Sequence, residues 1–199
     1  MEAVTYLNAG DPMPYRTVSP NDRPHHVGIS GIYELPFGKG RRLLANAPAP
    51  LRTLVDGWQV GVVMNSWSGS PLSFGDIIFS GDIKDIPLPK GQRTVERWFN
   101  IGAGFERAPA KQLAYHRFAG PLYYSGIRAD GTDTWDISLM KYTNLRENLK
   151  LQIRAEAFNA FNHPNFTAPN TSVTSSAFGT VTGESTFTRQ IQFGVKLLF

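Results

Sequence analysis

Apolar and polar residues alternate with a period of two in five stretches of the chain. The clearest is Leu149–Asn159. Leu149, Leu151, Ile153, Ala155 and Ala157 fall on one side, and Lys150, Gln152, Arg154 and Glu156 on the other. Successive side chains of a strand point to opposite faces, so this period predicts strand, with all the charge on one face. The last residues repeat the pattern: Ile191, Phe193, Val195, Leu197 and Phe199 alternate with Gln192, Gly194, Lys196 and Leu198. His26–Leu35 places Val27, Ile29, Gly31, Tyr33 and Leu35 opposite Gly28, Ser30, Ile32 and Glu34. Gly57–Gly69 places Trp58, Val60, Val62 and Met64 opposite Gln59, Gly61, Val63 and Asn65, with Trp67 in the polar register. Thr134–Thr143 places Trp135, Ile137 and Leu139 opposite Asp136, Ser138 and Met140. Five strands are therefore expected: 26–35, 57–69, 134–143, 149–159 and 190–199.

The connections differ greatly in length. Asn144–Asn148 reads as a tight turn, while 70–133 and 160–188 read as long loops rich in Gly, Pro, Ser, Thr and Asn. Residues 1–24 read as a Pro-rich loop with a short strand at Val4–Leu7. Pro36-Phe37-Gly38-Lys39-Gly40 ends the first strand, and 41–56 carries a basic pair, a Pro-Ala segment and one helical turn around Leu51–Val55. A structureless loop as long as 70–133 is unusual in a compact domain. Its aromatics, among them Trp98, Phe99, Phe105, Tyr123 and Tyr124, imply that it packs on itself or on a neighbouring loop.

Composition narrows the class. Charged residues are 18% of the 199, below the roughly 25% of soluble domains. The formal charge is +4, and the 20 Lys and Arg are scattered. A nucleic-acid surface would cluster them on one face, so no nucleic-acid partner is expected. The absence of cysteine removes disulfides, thiolate metal sites and a Cys nucleophile. No apolar run approaches the ~18 residues of a transmembrane helix. Strands of about 9–11 tilted residues, apolar on one face and polar on the other, are what a membrane barrel requires. Trp58 and Trp135 lie where an interfacial aromatic girdle would fall. Short turns belong on the periplasmic side and long loops outside, which puts 144–148, 36–56 and the carboxyl terminus at the periplasmic end. A secreted or soluble β-sandwich would show the same alternation, with the apolar faces on a core.

A terminal Phe199 preceded by alternating hydrophobics resembles the assembly signal of bacterial outer-membrane barrels. An ordered series of short segments is similar to the carboxyl-terminal barrel portion of TonB-dependent receptors, in the Oar-like branch with carboxypeptidase-regulatory-like amino-terminal domains. They are His26–Gly40, Gly57–Val60, Ser68–Leu72, Arg97–Asn100, Asp136–Lys141, Arg154–Phe166, Phe178-Gly179 and Arg189–Gly194. The resemblance implies an all-β fold, an antiparallel meander forming an incomplete transmembrane β-barrel: an open curved sheet of about five strands plus long loops. Residues 1–199 would be the C-terminal portion of that barrel. The plug, signal peptide, TonB box and upstream strands are not found in them. It further implies an outer-membrane location in a Gram-negative type bacterium and a role in substrate uptake or surface binding. The implied partners are outer-membrane lipid, the barrel-insertion machinery and the rest of the parent receptor, with TonB reached only through the missing amino-terminal regions. Ile191, Phe193, Val195, Leu197 and Phe199 would form the assembly signal. Since single-chain barrels have an even strand number from eight upward, five strands should leave two open edges and no functional pore.

Candidate chemistry is sparse. His25, His26 and His163 lack the Asp, Glu or His spacing of a metal site, Gly-x-Ser-x-Gly is absent, and Gly38-Lys39-Gly40 lacks the rest of a phosphate loop. No enzymatic activity, cofactor or metal is therefore expected. Lys150, Gln152, Arg154 and Glu156 are the lumen-facing candidates. Arg154 and Glu156, two apart, share a face, either as a charge pair that seats a plug or lines a path, or as ordinary charge pairing inside a wet barrel. The alternative from another class is a secreted β-rich adhesin or carbohydrate-binding module.

Overall fold

The computed structural model describes residues 6–112 and 120–199. Of the strand proposed at Val4–Leu7, Val4 and Thr5 lie outside them, and Tyr6 and Leu7 are not in a strand. The chain forms β1 (His26–Glu34), α1 (Ala49–Val55), β2 (Trp58–Trp67), β3 (Pro71–Leu72), β4 (Tyr124–Arg128), β5 (Thr132–Arg146), β6 (Leu149–Phe158) and β7 (Gln190–Leu198). It divides into two compact units. One holds residues 25–67, 132–164 and 186–199; the other holds the described parts of 1–24, 68–131 and 165–185.

The strand unit is a five-stranded antiparallel sheet in the order β1-β2-β5-β6-β7. It is all-β apart from α1 and is open, because β1 and β7 each have one neighbour. All five expected strands are present. The differences are in length, chiefly in β5, which runs over 15 residues where 134–143 is expected. A register shift between Asn144 and Arg146 lets it continue to a turn of only Glu147 and Asn148. A bulge absorbs an extra residue while pairing continues beyond it, which is why polar Asn144 does not end the strand. At the entry to β2, Gly57 has φ +75°, and a Cβ there would sit 2.2 Å from the Tyr142 carbonyl oxygen. Tyr142 N–H donates to the Gly57 carbonyl at 2.8 Å. Only glycine supplies both that dihedral and that approach.

The second unit is built from the long connections, and its core is aromatic. Phe74 meets Phe99, Phe105 and Tyr124 with ring centroids 5.0, 5.0 and 5.1 Å apart, and Phe178 lies 5.1 Å from Phe99. Phe99 and Ile86 are completely buried. Such edge-to-face and tilted pairs add to area burial because ring edges and faces carry opposite partial charge. The 70–133 stretch thus packs both on itself and on the next loop. Trp98 N–H donates to Gly179 O at 2.9 Å, Val181 N–H to Val95 O at 2.7 Å, and Arg107 Nη2 to Ser175 O at 3.1 Å. The stretch is less irregular than the sequence implies, since β3 and β4 form a short two-stranded sheet within it. Arg128 fastens the early segment: its Nη1 donates to Asp22 O at 3.0 Å and Gly69 O at 3.1 Å, and it pairs with the Asp22 carboxylate.

Phe99→Ala should destabilise this second unit by about 3–5 kcal/mol, the usual cost of emptying a buried aromatic site. Limited proteolysis should show faster cleavage within 68–112. A cleavage rate equal to wild type would refute the assignment of Phe99 to the core.

Candidate functional site: the two faces of the sheet

Register across the five strands decides what each face presents. Gly31 pairs with Val62, Val62 with Ile137, Ile137 with Ala157 and Ala157 with Ile191. Along the neighbouring row Tyr33, Val60, Leu139, Ala155 and Phe193 are aligned in the same way. Every apolar set singled out from the sequence lies on this one face. Much of it is open: Ile29, Tyr33, Ile153, Ile191, Phe193 and Val195 are all exposed. Strands of nine or ten residues at ~3.3 Å each and tilted ~40° cover roughly 23 Å, close to the ~25 Å apolar band of outer-membrane barrels.

The opposite face is polar and hydrogen-bonded across strands. Arg154 pairs with Glu156 along β6, and Gln192 Nε2 donates to the same Glu156 carboxylate at 2.8 Å. Gln152, buried, donates to the Tyr142 hydroxyl at 2.7 Å. Gln59 Nε2 donates to Glu34 at 3.2 Å, and Glu34 also pairs with Arg41. Lys150 is exposed, at the turn end of the same face. The four candidates Lys150, Gln152, Arg154 and Glu156 thus lie together in one row. Arg154 Nε is shut off from solvent with no acceptor among the described residues. Gly61 leaves room beside Ser138, where a Cβ would come within 2.4 Å of Oγ. An open depression of about 480 Å³ lies here, lined by Asp136, Ser138, Arg154 and Glu156 together with the apolar Ile32, Val63 and Met140.

Two determinants escape the alternation. The first is Asn159, with φ +47°, a region that Asn tolerates better than most residues. It is buried, and its amide donates to His163 O at 3.0 Å and Phe187 O at 3.1 Å, while its Oδ1 accepts from His163 N–H at 2.9 Å. Its own N–H donates to Asp136 at 2.9 Å. The backbone of His163 thus closes a corner, and His26 sits edge-on to Trp67 at 5.5 Å. Repeated Asn with a following Pro in Asn159–Asn165 is the sequence signal for such a corner.

The second is Lys141, which continues the apolar row Trp135, Ile137, Leu139. It is nearly buried because α1 covers it. Its Nζ donates to Thr53 O and Asp56 O at 2.8 Å each and lies 5.3 Å from the Trp58 ring centroid. Trp58 Nε1 donates to Leu54 O at 2.8 Å. The final carbonyls of a helix lack intrahelical partners, and here side chains from the sheet supply them. A cation that would be costly on an apolar face is satisfied by the same contacts. The break in the alternation at Lys141 was the available signal.

In the second unit an aromatic and basic cleft of about 380 Å³ is lined by Tyr15, Arg16, Lys84, Tyr123 and Tyr124 among others. Burial, with Tyr15 beside it, raises the Tyr124 hydroxyl above the usual tyrosine range, so it stays a neutral donor at physiological pH.

A sheet with one open apolar face and one wet, charged face defines a wall of a membrane β-barrel, since soluble sheets bury their apolar side. The chain belongs to the outer membrane beta barrel domain family, whose model matches residues 2–192. No curated protein and no solved structure matches it. Family membership favours the outer membrane as its location and the barrel reading over a secreted module.

Ile153→Arg should impair assembly far more than Arg154→Ile, because a charge at the middle of the lipid face costs about 2–4 kcal/mol. Heat-modifiability on gels and outer-membrane abundance would measure this; equal effects, or the reverse order, would overturn the face assignment. Asn159→Ala should cost about 1–3 kcal/mol by leaving the His163 and Phe187 carbonyls unpaired, read as a lower unfolding midpoint in detergent.

Proposed function

We propose that the chain is the C-terminal part of a TonB-dependent receptor of the Oar-like branch, a non-enzymatic barrel for substrate uptake or surface binding in a Gram-negative type bacterium. The observation that carries this reading is the segregation of the sheet. All the charge of β6 lies on the polar face, and Arg154 and Glu156 line a depression there that includes the unmatched Arg154 Nε. A narrow barrel filled by its own side chains would not need such a hollow. A wide barrel that seats a polar plug would. In this reading Lys150, Gln152, Arg154 and Glu156 face the lumen, and the plug and remaining strands come from elsewhere in the parent receptor. The Tyr-rich cleft supports surface binding of a solute, because tyrosine rings offer flat apolar contact and a polar tip.

The strand ends support an orientation. The β5–β6 turn, the β1–β2 connection and the carboxyl terminus share one end of the sheet, as Lys150 pairing with Leu198 and Trp58 pairing with Lys141 require. That end is assigned to the periplasm. Ile191, Phe193, Val195 and Leu197 run along β7 toward that end, where the fully exposed Phe199 completes the signal for the insertion machinery.

Two measurements test this. Deleting Phe199 should lower outer-membrane levels of the native protein, and unchanged insertion would refute the assembly role. Native protein isolated from outer membranes should be a longer polypeptide that crosslinks to TonB. Failure to crosslink in a protein that is otherwise correctly inserted would reject the receptor reading and leave a passive barrel.

A further inference from the structure

The segment between β1 and β2 is much longer than a periplasmic turn needs to be, and its charge is mostly basic. Residues 35–57 contain Lys39, Arg41, Arg42 and Arg52 against a single carboxylate, Asp56, whose side chain lies against Gly38. Arg41 pairs with Glu34; Arg42 and Arg52 have no ion pair among the described residues. The same segment exposes Leu43, Leu44, Leu51 and Leu54, the last at 66%. Leu44 adopts φ +58°, a conformation that is a steric outlier for a bulky residue, and its side chain lines a cleft of about 360 Å³. Leu35, Phe37, Leu54 and Val55 line the same cleft from the connection, and Trp58 and Leu139 from the sheet. Trp58 and Leu139 belong to the apolar face, so the cleft continues the surface that meets hydrocarbon. Lys141 and Trp58 hold α1 against it.

We propose that this connection is a membrane foot: a site for an acidic phospholipid of the leaflet at this end of the sheet. An acyl chain fills the Leu44–Trp58–Leu139 cleft, and Arg42 and Arg52 hold the phosphate headgroup. The assignment rests on the barrel reading, since only a lipid-facing sheet brings the cleft to an acyl chain. Arg42 and Arg52 each lie within two residues of a leucine that lines the cleft, Leu44 and Leu54; apolar surface with arginines next to it in the chain is the chemistry of an interfacial segment, whose binding combines buried area with attraction to anionic lipid. A zwitterionic lipid would fill the cleft equally well and leave the arginines unused.

Residues 1–199 contain no cysteine; with any cysteine elsewhere in the parent polypeptide changed to serine, a single introduced thiol labels uniquely. The full-length protein carrying Ala45→Cys, labelled with bimane, is reconstituted into vesicles of phosphatidylcholine alone or mixed equally with phosphatidylglycerol, with brominated acyl chains as quencher. Ile29→Cys, on the apolar face and outside the proposed assembly signal, is the reference. Quenching at both positions is expected. At position 45 brominated phosphatidylglycerol should out-compete its phosphatidylcholine counterpart, and the preference should fall roughly fivefold for each arginine changed in Arg42→Gln and Arg52→Gln. Quenching at 29 but not at 45 would overturn the foot and leave the barrel standing. Quenching at 45 with no preference for phosphatidylglycerol, or a preference that survives both changes, would overturn the headgroup site. No quenching at 29 would remove the lipid-facing sheet and the proposal with it.

Discussion

Strand register is the constraint on which everything else depends. Side chains alternate with a period of two, so slipping any one strand by one residue would carry Arg154 or Glu34 onto the apolar face and Ile153 or Tyr33 onto the polar one. Five strands keep a common register over nine or ten residues each. The devices that hold it are local. Gly57 lets β2 start against Tyr142, the shift at Asn144–Arg146 brings the β5–β6 turn into step, and Asn159 ties the far end of β6 to the chain entering β7.

The same register exposes what it cannot satisfy. β1 and β7 each leave one row of backbone groups without a neighbour, and lipid offers those groups no partner. With five antiparallel strands the two edge strands run in the same direction, so they cannot meet each other in an antiparallel pair. Only an odd number of intervening strands closes such a sheet antiparallel throughout. Lys141 is the opposite situation: a polar group placed on the apolar face and answered within the chain. The helix that answers it is built from the connection that looked too long.

The sheet was legible in the sequence because membrane strands carry charge on one face and none on the other, as in β6. Strand ends were less so, because a bulge extends β5 through a polar residue that alternation reads as a stop. The aromatic unit was legible only as a tendency. Phe74, Phe99, Phe105 and Phe178 announce that something packs, but their partners come from two separated loops, and no local period links them. The polar row Lys150, Gln152, Arg154 and Glu156 could be read as a row; its cross-strand partners Tyr142 and Gln192 could not, because pairing register is not written in either strand alone. Asn159 and Lys141 act through backbone carbonyls, which sequence does not display.

The aromatic unit also sets an order of events. Phe74 and Phe178 share one core but lie about a hundred residues apart in sequence, and between them lie both passes of the β5–β6 hairpin. Distant contacts form only after a large loss of chain entropy, whereas β5 and β6 meet across two residues. The hairpin can therefore form early, and the aromatic core is completed only after the chain has returned from β6. Until then Phe74, Phe99 and Phe105 can meet one another but lack the cover that Phe178 supplies. During transit the molecule is a sticky, half-finished polymer, and how long that interval lasts decides whether it reaches its membrane or aggregates on the way.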